Sequence, residues 1–357
     1  MRRWLFVPAF IALLSFVISA TPARAADDPN EAAQAALSWL LARQADDGSF
    51  PGFDAGSTAD VIFAMVAAGV DPNSVLKNGN SPVSYLGTQA QAFAAKSPAA
   101  AGKLMLAVVA AEKDPFNFNQ QNLVALIVQS YNSTTGRYGA TTTDHVYALL
   151  ALASAGQPIP QGALDALGSA QLPDGGWSFD GNPATGSDTN TTALAAQALI
   201  AGGVRGEPLT RALGYLKSQQ NADGGFPYSK TSSFGSDSDA NSTALVIQAL
   251  VAGGEDLASY APEGNDPLDA LLAFQNESDA FRYQVAVPDD NDLATAQAIP
   301  ALLRKPFPLK TATLSAPAQA TPPSALPRTG GSFDVTWFAL VGLLLLALGV
   351  ALRPARR

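Results

Sequence analysis

The chain has 357 residues, a formal net charge of −9, one histidine and no cysteine. The missing cysteines exclude disulfides and thiolate metal sites, and the acidic balance disfavours nucleic acid and anionic lipid as partners.

Met1–Ala25 sets Arg2 and Arg3 before an apolar run from Phe6 to Ile18 and ends in Ala23-Arg24-Ala25. This is the layout of a secretory signal peptide (1–25) cleaved before Ala26. Residues 26–305 follow as a repeat domain, long enough to be stable on its own core. In it Leu40, Gln44, Gly48 and Phe50 recur at the same spacing as Leu167, Gln171, Gly175 and Trp177, and as Leu216, Gln220, Gly224 and Phe226. Weaker copies run through Leu271, Gln275, Asp279 and Phe281 and through Val128, Asn132, Gly136 and Tyr138, while Leu86 retains only the helix pattern. Six anchors roughly 40 to 55 residues apart describe a repeat architecture, in which no unit buries its apolar face alone.

Each unit reads as two helices. The first stops at a turn such as Asp223-Gly224-Gly225; the second is rich in alanine, as in Thr192–Ile200 before Gly202-Gly203. Asp188, Asn190, Asp239, Asn241 and Asp292 are candidate N-cap residues for these second helices. Alternating strand patterns are lacking, so an all-α domain without a sheet is expected.

The Gln…Asp-Gly-Gly-Trp/Phe units resemble the repeats of the terpenoid cyclase and protein prenyltransferase superfamily. That resemblance implies an α6/α6 toroid, with six outer and six inner helices closed into a ring. It makes the alanine-rich helices the inner ones and turns Phe50, Trp177, Phe226 and Phe281 into structural staples between units.

The family's chemistry does not carry over with the fold. The prenyltransferases use zinc held by Asp, Cys and His, which this chain cannot assemble from His145 alone. The squalene-type cyclases use a D-x-D-D acid, and neither Asp289-Asp290-Asn291-Asp292 nor Asp237-Ser238-Asp239 matches it. No cofactor or metal is therefore expected. Thr58–Met65 with Ala67–Pro72 also resembles the helix motif of cobalamin-carrier toroids, but the β-rich domain that closes those carriers is not recognisable here.

If the second helices form the inner ring, their N-terminal ends gather at one mouth. Asp60, Asp144, His145, Asp188, Asn190, Asp239, Asn241 and Asp292 would then surround a polar cup suited to a cation or a hydroxyl- and amide-rich small molecule. His145 reads as a capping or groove-lining residue, and no nucleophile motif surrounds it.

A Pro/Ala/Thr-rich spacer (306–325) behaves as an extended tether. Residues 326–357 begin Leu326-Pro327-Arg328-Thr329-Gly330, continue as an apolar span (335–352) and end in a basic tail. This arrangement resembles the sorting signal of Gram-positive surface proteins, which a sortase cuts between Thr and Gly. The sequence thus describes an exported toroid on the outer face of the cell envelope, attached to wall or membrane. It is expected to be a binding or interaction module for a small molecule or surface partner. The alternative is an enzyme of the cyclase-like or polysaccharide-cleaving toroid type.

Overall fold

A computed structural model describes residues 28–232 and 235–310. The signal peptide (1–25), the sorting motif (326–330) and the apolar span (335–352) with its tail lie outside the described residues. Among the described residues no helix is long and apolar enough to cross a membrane.

Among the described residues twelve α-helices alternate between two layers. The outer ones are α1 (Pro29–Leu41), α3 (Pro82–Ala94), α5 (Leu123–Gln129), α7 (Gln161–Ser169), α9 (Glu207–Gln219) and α11 (Pro267–Leu272). The inner ones are α2 (Ala55–Ala67), α4 (Pro98–Ala110), α6 (Thr142–Ser154), α8 (Thr189–Ala201), α10 (Ala240–Gly253) and α12 (Asp292–Leu302). Each inner helix packs on the next and α12 packs on α2, which closes the ring; each outer helix lies in the groove between two inner ones.

Composition explains the layering. The inner helices are apolar nearly all round and almost wholly buried, as α8 and α10 show. Small side chains let them approach closely. A Cβ at Gly102 would sit 2.7 Å from the Tyr147 carbonyl oxygen, so only glycine permits this α4–α6 crossing.

The repeated glutamine ties neighbouring units. Gln171 Nε2 donates to Gly175 O (2.8 Å) in its own turn and to Pro208 O (2.9 Å) at the start of the next outer helix. Gln220 Nε2 does the same to Gly224 O (2.9 Å) and Tyr260 O (2.7 Å). Gln275 Nε2 closes the ring by donating to Ala32 O of α1 at 3.1 Å. The repeated glycine has two reasons: Gly175 and Gly224 have φ of +95° and +84°, and a Cβ there would meet the carbonyls of Arg211 and Asn265 at 2.5 and 2.4 Å. Phe50, Tyr138, Trp177, Phe226 and Phe281 are buried between the layers.

Three expectations need correction. The domain does contain strands: β1 (Tyr131–Asn132) pairs antiparallel with β2 (Arg137–Tyr138), and β3 (Arg282–Gln284) with β4 (Val287–Asp290). These are short ribbons in the turns between outer and inner helices, too short for an alternating pattern to register. Val128 is not the third anchor. It is half exposed, and Ile127 is the buried residue, because α5 is only seven residues long and ends at Gln129. Finally, the spacer does not begin at 306, since Phe307 and Leu309 still pack on the core.

Candidate functional site

The N-caps of the inner helices set a common register. They are Asp54, Ser97, Thr141, Asp188, Asp239 and Asn291, each accepting a backbone N–H from the first turn. Asp188 and Asp239 are thus caps. Asn190 and Asn241 fall two residues inside their helices and Asp292 one, which corrects the expectation that they cap. Asp60 does not start α2 either; it lies six residues in.

In five of the six inner helices position four after the cap turns outward to the staple. The backbone N–H groups of Phe50, Trp177, Phe226 and Phe281 donate to the hydroxyls of Thr58, Thr192, Thr243 and Thr295 at 2.8–3.1 Å. In α6 that place belongs to His145, whose Nδ1 accepts from Tyr138 N at 3.1 Å. Nε2 then carries the proton and donates to Ala163 O at 2.9 Å. Burial pushes this imidazole down to about 4, so it is neutral. His145 stands in for the repeated threonine, away from the cup.

Positions two and six lie on the opposite side of each inner helix, and Asn190, Asn241, Leu293, Asp60, Leu245 and Gln297 from this set line a cavity at the mouth. The second residues are Gly56, Ala99, Thr143, Asn190, Asn241 and Leu293; the sixth are Asp60, Lys103, Tyr147, Leu194, Leu245 and Gln297. Neighbouring inner helices join across this layer. Lys103 Nζ reaches Asp60 Oδ2 at 2.7 Å, and Asn241 Nδ2 donates to Gln297 Oε1 at 2.7 Å.

At the mouth lies a cavity of about 520 Å³, over the seam where unit six meets unit one. Asp60, Asn190, Asp239, Asn241 and Asp292 line it, together with Phe53, Leu245, Tyr283, Asp290 and Gln297. Asp144, His145 and Asp188 do not. Asp144 completes a capping box with Thr141, and Asp188 is spent on its cap, accepting from Thr191 N at 2.7 Å.

Most of the lining carboxylates already have partners. Asp292 takes a two-pronged ion pair from Arg43 (2.6 and 3.1 Å), and Arg43 also stacks on Trp39. Asp290 Oδ1 accepts from Asn276 and Ser278 (2.8 and 2.7 Å), and Asp239 accepts from both N–H and hydroxyl of Ser242. Burial raises the Asp239 carboxyl to about 6; burial and that neighbouring charge raise the Tyr283 phenol to about 12, so it is a hydrogen-bond donor. Asn190 Oδ1 is buried without a protein partner. Among the described residues no group of His, Asp and Glu could hold a metal ion.

Lys103, Tyr283, Asp290, Gln297 and Phe53 are functional candidates that sequence reasoning missed. The signal for two of them was available: Lys103 and Gln297 stand six residues after a cap, as Asp60 does.

No protein-family model matches the chain, and no curated protein sequence matches it. Solved structures do. The type II terpene cyclase MstE from Scytonema is similar over 77% of this chain and 97% of its own, at 15% identity and a TM-score of 0.56. An unsaturated glucuronyl hydrolase from a Bacillus species is similar over 78% and 96%, at 14% identity and a TM-score of 0.55. A protein from Actinoplanes is similar over 78% and 99%, at 16% identity and a TM-score of 0.52. At these identities the likeness is one of fold: a mostly helical domain with α/α-toroid neighbours, among them enzymes.

Proposed function

We propose that the ring mouth binds a short, hydroxyl-rich ligand of the oligosaccharide class, and that the domain is displayed on the outer face of the cell envelope. The observation that carries the binding reading is the polar wall: the Asn241–Gln297 amide pair and the unpartnered Asn190 carbonyl oxygen line one cavity with the Tyr283 donor. Amides and a phenol offer the mixed donors and acceptors that hydroxyls need, and the exposed Phe53 on the rim offers an apolar face. Of the four lining aspartates Asp60 is paired with Lys103 and Asp292 with Arg43, which leaves Asp239 and Asp290 without a cation and favours a neutral or amine-bearing sugar over an anionic one. Display is supported by the signal-like start and the sorting-type end of the sequence.

The purified chain, titrated with a panel of neutral and amino oligosaccharides by saturation-transfer NMR, should bind at least one member. Asn241→Ala, which removes one wall amide, should weaken that binding about tenfold. A panel that gives no transfer at millimolar ligand would reject the reading. A second reading, glycan cleavage, is favoured by one feature: the raised Asp239 carboxyl is suited to a general acid. New reducing ends in the same mixtures, lost in Asp239→Asn, would select it.

A further inference from the structure

The ring has a second opening, at the C-terminal ends of the inner helices, and the chain itself fills it. After α12 the backbone turns under the ring as a strap from Lys305 to Lys310. Gln248 Nε2 donates to Lys305 O at 2.8 Å, and Phe307 N donates to Gln197 Oε1 at 2.8 Å. The Phe307 ring meets Phe63 edge-on, with centroids 4.9 Å apart. Beyond it Lys310 pairs with Glu112, just past the end of α4. The strap therefore touches α2, α8 and α10 and ends beside α4, crossing the bore.

Its seat is a single layer. Phe63, Gln197 and Gln248 all stand nine residues after their caps, one helical turn below the layer of Asp60, Gln297 and Leu245 that lines the cavity. The other members of this ninth layer are Leu106, Leu150 and Pro300. Both glutamines are almost wholly buried in the otherwise apolar C-terminal halves of α8 and α10. Such amides are costly unless their hydrogen bonds are made. The strap backbone supplies a partner to each, so the two glutamines and the strap fit as one assembly.

We infer that the Lys305–Lys310 strap is a stopper: it converts a ring with two openings into a blind cup, and Phe307 sets how deep a ligand can reach from the other mouth. Removing the Phe307 ring should leave an apolar gap beside Phe63, in the layer that Leu106 and Leu150 share by register, and so open the floor of the cup towards the lower opening. The depth-setting role rests on the oligosaccharide reading; the stopper role does not.

The full chain and its Phe307→Ala variant are compared for binding of benzene, a probe that fills apolar cavities of about one ring. Benzene should raise the melting temperature of the variant and leave that of the parent unchanged; equal response in both would overturn the stopper. Hydrogen exchange on the parent chain is the second measurement, independent of whether the variant folds. The Phe307 amide should exchange at least roughly a hundredfold more slowly than in a free peptide; unprotected exchange would equally overturn it. If the panel yields an oligosaccharide, the variant should shift preference towards a longer one. Absent glycan binding in both proteins, with benzene bound only by the variant, would sink the oligosaccharide reading and leave the stopper standing.

Discussion

Asp239, Asp188 and His145 are all buried at the start of inner helices, yet they respond to pH with opposite signs. Burial holds the two carboxyls at about 6, against roughly 3.9 in an unfolded chain. The folded state thus holds these protons more tightly, and stability contributed by the neutral acids is lost as pH rises from about 4 through 6. His145, at about 4 when folded and roughly 6.5 when unfolded, loses stability as pH falls through that window. Each effect is bounded by about 3 kcal/mol, because a tenfold change in proton affinity is worth roughly 1.4 kcal/mol. The variant Asp239→Asn keeps a cap acceptor for Ser242 without the charge. It should raise the melting temperature at pH 7 by about 5 °C and change little near pH 4. A lower melting temperature at pH 7 would show that the ionised cap is net stabilising, and would contradict the raised carboxyl.

At the scale of elements, the turn from outer to inner helix does the joining. Trp177 is fully buried in one such turn; its Nε1 donates to Leu167 O at 2.8 Å and its backbone N–H to Thr192. Trp177→Ala should destabilise the domain by about 4 kcal/mol, combining a large cavity with an orphaned carbonyl. Urea unfolding measures this, while oligosaccharide binding by the folded fraction should persist because the indole lies outside the cup. Unchanged stability with lost binding would reverse that placement. These turns were legible in the sequence because their glutamine and glycine answer to backbone geometry. Gly175 and Gly224 admit no other residue without moving the next unit. Unit six shows the limit of that rule: Asp279 takes the same left-handed turn at φ 72°, so the position that faces the seam tolerates a side chain.

The whole ring was readable from the sixfold repeat, but the cup was only partly so. Five of the eight rim candidates line the cavity, and the other three are spent on caps and the staple. What the sequence hid was the helix register. Pro51-Gly52-Phe53 ahead of α2 reads as a loop continuing to Asp60, whereas Asp54 already caps the helix. The strap was hidden too, because Pro306-Phe307-Pro308 has the composition of a spacer; only the buried Gln197 and Gln248 betray its seat. For the chain as a whole, the sorting-type end makes its own prediction. In a host with a matching sortase, envelope-linked protein should end at Thr329, and intact mass of released material checks this. Retention of Arg353–Arg357 would reduce the segment to a plain anchor.

The alternation of helices has a consequence for access. Outer helices run towards the cup and inner helices run away from it, so α1 starts, and the strap finishes beside Glu112, on the face opposite the mouth. Both described ends of the chain therefore depart from the back of the ring. A bulky partner approaching the cup meets neither of these two described ends.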